Sequence, residues 1–114
     1  MFPVETISAK MLDYYVGRRD AFLIDLRGRG EYRSGHIQGA VNLPYEEFEK
    51  MQEYTFPKNK VLILYCERGG ASLAAARLLA RKGYQTRTVI GGMKAYRGRN
   101  LVCTVDLEKD RTGQ

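Results

Sequence analysis

A cysteine that precedes a glycine-containing loop is the feature of this sequence best suited to chemistry. Cys66 stands in the stretch "LYCERGGASLAAARLLARKG", which runs from Leu64 to Gly83. The apolar residues before the cysteine predict a buried strand, and the alanines and leucines after it predict a helix. The thiol is therefore either a nucleophile at the junction of a strand and a helix, or an inert residue that packs at the end of a strand.

The loop after Cys66 is suited to surround the sulfur with hydrogen-bond donors. Its residues are Glu67, Arg68, Gly69, Gly70, Ala71 and Ser72. The two glycines allow the backbone N–H groups to turn inward, and the helix expected to begin near Ser72 directs the positive end of its dipole at the same point. Both effects favour a thiolate, and Arg68 is placed to add to them.

Other cysteine chemistries have weaker support in the sequence. Cysteine phosphatases carry an arginine six positions after the nucleophile, where this chain has Ser72. His36 is the only histidine, so a cysteine–histidine pair would have one partner and no specified third member. A persulfide suits the loop better, because it is a smaller anion than a phosphoester.

Length and composition predict one folded domain over residues 1–114. The chain is 44% hydrophobic and 28% charged, which is close to average globular usage. Its two cysteines, Cys66 and Cys103, have neither the spacing of a secreted disulfide framework nor that of a metal site. We therefore expect a cytoplasmic protein without a membrane span, a metal or a cofactor.

The net charge of +6 is unevenly distributed. The segment 68–105 contains eight basic residues and no acidic one, whereas residues 1–67 are nearly balanced. Such a segment would attract small anionic substrates or acidic partners, although a basic surface is often only solvated. Nucleic acid is not indicated by any motif, and the oligomeric state is left open.

Apolar runs alternate with helical patterns along the chain. Strands are predicted at 21–27, within 39–44, at 60–66 and at 86–92, because these runs are too short for helices; the first ends in charge and the last in glycine. Helices are predicted at 8–17, 44–54, 71–83 and 91–98, and the final residues 108–114 are predicted to be a tail. This order indicates an α/β domain in which Cys66 ends a strand of a mainly parallel sheet, where ligands bind.

Three linked motifs resemble those of the rhodanese family, and specifically of its small single-domain members. The first is "LIDLRGRGEYRSGHIQGAVNLP" at 23–44, the second is "LYCERGGAS" at 64–72, and the third is "GYQTRTVIGGMKAYRG" at 83–98. Tyr96 stands where the family often has tryptophan. The resemblance implies the rhodanese-like fold, with a mainly parallel central sheet flanked by helices on both faces.

The activity that this resemblance implies is sulfur transfer through a Cys66 persulfide, held by the amides from Glu67 to Ser72. The donor would be a small sulfur anion, either thiosulfate or a persulfide, and the acceptor a thiol or a protein. Members that use thiosulfate often have basic residues where this chain has Glu67, and arginine or threonine where it has Ala71. A binding or regulatory module without catalysis is the alternative, with a phosphatase or arsenate reductase in third place.

Residues outside the loop have supporting roles in this interpretation. Asp25 and Arg27, near the end of a predicted strand, would line the crevice or pair with each other, and His36 would be structural. Gly91 and Gly92 would form a turn between a strand and a helix near the pocket. Cys103 would be a packing residue, with a resolving thiol as the alternative.

Overall fold

The computed structural model describes residues 3–104, which fold around a parallel β-sheet. The strands of this sheet are Val4–Ile7 (β1), Ala21–Asp25 (β2), Val41–Asn42 (β4), Val61–Tyr65 (β5) and Gln85–Val89 (β6). They lie side by side in the order β1-β6-β5-β2-β4, and every neighbouring pair is parallel. The remaining strands, His36–Ile37 (β3) and Leu101–Val102 (β7), form a small antiparallel pair.

Helices cover both faces of the sheet. They are Leu12–Tyr15 (α1), Arg29–Ser34 (α2), Tyr45–Lys50 (α3) and Gly70–Arg81 (α4), with 3₁₀ helices at Ala9–Met11 and Gly92–Ala95. On one face α3 and α4 pack against β2 and β5, and the buried residues include Ile24, Phe48, Leu62, Leu64 and Leu79. On the other face α1 packs against the same strands, and the buried residues include Leu12, Leu23, Ile63, Val89 and Tyr96.

This architecture confirms the predicted fold class. Successive residues of β2 and β5 alternate between the two faces, so both faces must be covered by apolar side chains, as continuous apolar runs predict. Within residues 3–104 no helix is long and apolar enough to cross a bilayer.

Several short elements differ from the predicted ones. Strands β1, β3 and β7 and helix α2 were not predicted, because β1 is a half-exposed edge strand, β3 and β7 have two residues each, and α2 buries no side chain. Strands β2 and β5 each end before the predicted limits of Arg27 and Cys66. The tail predicted at 108–114 lies outside the described residues.

Candidate active site

Cys66 directly follows β5, at the carboxyl end of the central sheet. Its side chain is largely buried, with 6% of the residue exposed. The sulfur accepts hydrogen bonds from the backbone N–H of Gly69 at 3.0 Å and from that of Ser72 at 3.4 Å. These two donors place partial positive charge against the sulfur, which is the arrangement that stabilises a thiolate.

The loop reaches this shape because Gly69 adopts a left-handed conformation, with a φ of +112°. Gly69 is the N-cap of α4, so the helix begins at Gly70, two residues before the predicted start near Ser72. A left-handed residue reverses the chain direction at little cost only when it is glycine. As a result Ser72 lies in the first helical turn, where its N–H has no partner within the helix and is available to the sulfur.

The hydroxyl of Ser72 links Cys66 to the neighbouring strand. Ser72 is fully buried, and its Oγ lies 3.6 Å from the Cys66 sulfur, 3.2 Å from the carbonyl oxygen of Gly69 and 2.7 Å from Oγ1 of Thr88 on β6. Thr88 was not identified from the sequence. A threonine in a strand is common, and only the register of β6 against β5, with Thr88 opposite Leu64, places it beside the loop.

The 3₁₀ helix Gly92–Ala95 supports the other side of the loop. The N–H of Met93 donates to the carbonyl oxygen of Cys66 at 2.8 Å, and the N–H of Lys94 donates to that of Glu67 at 3.0 Å. Gly92 has a φ of +58°, and any β-carbon there would collide with the carbonyl oxygens of Cys66 and Glu67. The turn predicted at Gly91 and Gly92 is thus confirmed, and it lies against the loop.

Asp25 and Arg27 form a buried ion pair. Nη2 of Arg27 lies 2.8 Å from Oδ2 of Asp25; the Arg27 side chain is 7% exposed and that of Asp25 is fully buried. Nη1 of Arg27 also lies 3.5 Å from Oε1 of Glu67, in the Cys66 loop. The charge of Glu67 is therefore partly offset by Arg27, a contact that the sequence did not reveal because the two residues are forty positions apart.

Arg68 and Ala71 occupy different environments in the loop. Arg68 is exposed and, with Gly69 and Gly70, lines a groove of about 310 Å³ whose other walls include Thr6 and Ile90. Ala71 is half-buried and packs against the core beneath α4. Arg68 is thus the cation of the loop that solvent and small anions can reach.

His36 and Cys103 have no contact with the sulfur among those described. Nδ1 of His36 lies 2.7 Å from the carbonyl oxygen of Tyr32, and the two rings stack with their centroids 3.7 Å apart. These contacts agree with a structural role for His36. Cys103 is exposed, so its assignment as a packing residue is wrong. It follows β7, which pairs with β3 at the surface of the molecule and buries neither of its own residues.

No metal centre is built into residues 3–104. Within that range no group of three or more His, Cys, Asp or Glu side chains is arranged to hold a metal ion. The groups that contact the Cys66 sulfur are the backbone N–H groups of Gly69 and Ser72 and the hydroxyl of Ser72.

The family of the chain follows from its sequence and its fold together. The sequence profile of the rhodanese-like domain matches residues 8–99. The chain belongs to the rhodanese-like domain family, as the three motifs indicated. A rhodanese-related protein from Thermoplasma volcanium has the same fold, with a TM-score of 0.75 at 24% identity over 86% of this chain and 97% of that one.

Two relatives carry the names of sulfurtransferases. The chain is 36% identical over 78 residues to the tRNA sulfurtransferase of Desulfurococcus amylolyticus, a match that covers 68% of this chain and 15% of that protein. It is 35% identical over 72 residues to the thiosulfate sulfurtransferase PspE of Escherichia coli, covering 62% of this chain and 69% of that protein. These relatives support a sulfurtransferase kind of enzyme.

Proposed function

We propose that the protein transfers sulfane sulfur from a small anionic donor to a thiol through a persulfide on Cys66. The observation that carries this proposal is the pair of N–H donors, from Gly69 and Ser72, that point at the buried sulfur. The Cys66 sulfur is negatively charged as the attacking thiolate in the first step and again as the departing thiolate in the second. Hydrogen-bond donors that point at this sulfur stabilise its negative charge in both steps. The sulfurtransferases among the relatives support the same class of reaction.

The first half of the reaction loads the cysteine. The Cys66 thiolate attacks the outer sulfur of the donor, and the bond between that sulfur and the rest of the donor breaks. With thiosulfate as donor, sulfite leaves with the electron pair of the broken bond, and Cys66 becomes a persulfide. Arg68 is exposed at the loop and attracts the anion, while Arg27 offsets the charge of Glu67.

The second half of the reaction unloads the cysteine. An acceptor thiolate, or cyanide in an assay, attacks the outer sulfur of the persulfide. The bond between the two sulfurs breaks and the Cys66 thiolate is restored, so no oxidant or reductant is consumed. In the proposal the amides from Glu67 to Ser72 hold the outer sulfur, and the hydroxyl oxygen of Ser72, which accepts from the Cys66 thiol in the resting protein, lies beside Sγ.

The donor in this proposal is thiosulfate or a low-molecular-weight persulfide, and the acceptor is a small thiol or a protein. A cytoplasmic location fits this chemistry, because both cysteines are free and a reducing compartment keeps them so. Phosphoryl transfer is less well supported, since the residue at the position of the phosphatase arginine is Ser72, whose hydroxyl is bonded to Thr88.

The experiment that tests this function is an assay of thiocyanate formation from thiosulfate and cyanide, with cysteine variants. The wild-type protein and C103S are expected to form thiocyanate, and C66S is expected to show no activity above background. An organic persulfide serves as the second donor in the same assay. Failure of the wild-type protein with both donors would favour a binding module instead, and turnover of a phosphoester or arsenate would favour the third candidate.

A further inference from the structure

A basic cleft lies on the α1 face of the sheet, at the end of the 3₁₀ helix Gly92–Ala95 that supports the Cys66 loop. It has a volume of about 570 Å³, and its lining residues are Lys10, Asp13, Ala95, Arg97, Gly98 and Arg99. The three basic side chains are exposed, and they come from two separate segments of the chain. With one carboxylate against three cations among the described lining residues, this surface carries an excess of positive charge.

The wall of the basic cleft is held in place by a buried tyrosine. The hydroxyl of Tyr96 donates to Oδ1 of Asp13 at 2.5 Å and accepts from the N–H of Asn100 at 2.8 Å. The side-chain amide of Asn100 donates to the same Asp13 oxygen at 2.7 Å. Asp13 is thus engaged by neutral donors within the protein, and the segment that carries Arg97 and Arg99 is fixed against α1.

Two hydrogen bonds connect the basic cleft to the catalytic loop. Nη1 of Arg97 donates to the carbonyl oxygen of Lys94 at 2.7 Å, and the N–H of Lys94 donates to the carbonyl oxygen of Glu67 at 3.0 Å. Glu67 directly follows Cys66 in the chain. Arg97 in the wall of the cleft is therefore linked to the loop through the backbone of Lys94, whose side chain is exposed.

We propose that the basic cleft binds an acidic segment of the acceptor protein, whose cysteine thiol receives sulfur from Cys66. This inference rests on the proposed sulfur transfer. Complementary charge is the argument for the occupant, because separated carboxylates match separated Lys and Arg side chains. Among residues 3–104 the lining offers no exposed aromatic ring on which a base could stack, since Tyr96 is buried, and this favours a peptide over single-stranded nucleic acid.

The step that this docking serves is the second half of the reaction. The acceptor cysteine, as a thiolate, attacks the outer sulfur of the Cys66 persulfide. A bond forms between the acceptor sulfur and the outer sulfur, the bond from the outer sulfur to Sγ breaks, and Cys66 leaves as a thiolate. Binding of the acidic segment raises the local concentration of the acceptor thiol at the loop.

The test compares two short synthetic peptides as acceptors. In one a run of glutamates precedes a single cysteine, and in the other glutamines replace the glutamates. Cys66 is first loaded with thiosulfate, and the second-order rate of sulfur transfer to each peptide is measured at low salt. We expect the acidic peptide to react about tenfold faster, because attraction at a charged surface raises association rates.

Variants of the cleft show whether that preference arises there. The readout is the ratio of the two peptide rates, from which any general loss of activity cancels. R97Q/R99Q is expected to bring the ratio of the two rates close to one. K10Q, which changes the other wall of the cleft, is expected by itself to lower the same ratio. The matched control is R77Q/R81Q, which removes the same charge from exposed positions on α4, on the opposite face of the sheet.

The outcomes separate this inference from the proposed function. If Cys66 takes up sulfur but the two peptides react equally, or if R97Q/R99Q keeps the wild-type ratio, the cleft proposal is overturned while sulfur transfer stands. Stronger competition by an oligouridylate than by polyglutamate would also overturn it, in favour of a nucleic acid. If Cys66 takes up no sulfur at all, the proposed function itself fails.

Discussion

Ser72 and Thr88 together set the surroundings of the reactive sulfur. Their hydroxyl oxygens are 2.7 Å apart, and the Ser72 oxygen lies 3.6 Å from the Cys66 sulfur. Both side chains are buried, so neither hydroxyl has bulk water as an alternative partner. The pair connects α4 to β6 at the point where the loop turns around the thiol.

We predict that S72A lowers the kcat/KM for sulfur transfer by about tenfold. The removed hydroxyl bonds to Thr88 and to the carbonyl oxygen of Gly69, and these bonds hold the Ser72 N–H against Sγ; a loss of about 1.4 kcal/mol corresponds to that factor. The measurement is the rate of thiocyanate formation, with C103S as a control for an unrelated change of similar size. T88V removes a hydrogen-bond partner of Ser72 but keeps Ser72 itself, so its effect is expected to be smaller. An S72A protein with the wild-type kcat/KM would contradict this prediction.

The buried ion pair between Asp25 and Arg27 gives a second prediction at this scale. R27Q leaves the fully buried Asp25 carboxylate without its cation, and loss of one partner of a buried pair typically costs about 3–5 kcal/mol. Urea denaturation should therefore show a large decrease in the free energy of unfolding. E67Q removes the more exposed partner of the same arginine and should cost less than about 1 kcal/mol. Equal losses in the two variants would show that the pair with Asp25 is not the main contact of Arg27.

At the level of elements, the Cys66 loop is shaped by helix α4 and by the 3₁₀ helix Gly92–Ala95, which both contact it. Helix α4 supplies the N–H of Ser72, and the 3₁₀ helix Gly92–Ala95 supplies the N–H groups of Met93 and Lys94 to the loop carbonyl oxygens. The close approach of the 3₁₀ helix requires a residue without a β-carbon at Gly92. The loop geometry is therefore a property of the packed elements as well as of its own sequence.

We predict that G92A disrupts the site whereas G70A does not. At Gly92 a methyl group would collide with the carbonyl oxygens of Cys66 and Glu67, so the 3₁₀ helix must move away from the loop. At Gly70 a methyl group meets nothing within 4 Å, and alanine favours the helix there. Activity and thermal denaturation are measured for both. A G92A protein as active and stable as G70A would show that the contact is not needed.

The hydrogen bonds among Asp13, Tyr96 and Asn100 predict that the stability of the protein depends on pH. Hydrogen bonds from Tyr96 and Asn100 hold the pKa of Asp13 below its ordinary value of 3.8, and Arg99 adds attraction. Because the folded-state pKa is lowered, the carboxylate stabilises the protein at pH values above its ordinary pKa. This contribution is lost as the pH falls through the folded-state pKa.

The measurement is the free energy of unfolding as a function of pH. D13A should be less stable than the wild type at neutral pH, and the difference should shrink as the medium is acidified below about pH 4. Y96F keeps the carboxylate and removes one donor, so its behaviour should be intermediate. A difference between wild type and D13A that stays constant down to the acid limit would contradict this assignment.

The sequence predicted the buried elements better than the exposed ones. Continuous apolar runs can only be strands or helices of the core, so β2, β5 and α4 were found with small errors at their ends. Edge strand β1 and helix α2 expose most of their residues and leave little periodicity. Contacts between distant residues, such as Arg27 with Glu67 or Ser72 with Thr88, depend on strand order and register, which one sequence does not specify.

The distribution of charge along the chain favours the binding of anionic ligands near the Cys66 loop. Residues 68–105, which include most of the loop, the 3₁₀ helix and the wall of the basic cleft that carries Arg97 and Arg99, contain eight basic residues and no acidic one. Long-range attraction of this kind raises association rates and is screened by salt, with a Debye length of about 8 Å at physiological ionic strength.

We therefore predict that sulfur transfer from thiosulfate depends on salt. The kcat/KM for this dianion should fall by about threefold or more as the ionic strength rises through the physiological range. An organic persulfide, which is at most a monoanion and loses a thiolate as its terminal sulfur is transferred, is the matched donor, and its rate should change less. Steady-state kinetics in sodium chloride provides the measurement, and an equal dependence for the two donors would rule out attraction by the basic segment.

The central claim is that Cys66 carries the transferred sulfur, and mass spectrometry of the intact protein tests it most directly. After treatment with thiosulfate or an organic persulfide, the wild-type protein and C103S should gain one sulfur atom of about 32 Da, located on the peptide that contains Cys66 and removed by cyanide. C66S should gain nothing. A wild-type protein whose Cys66 stays unmodified with both donors, or sulfur that persists in C66S, would contradict the account.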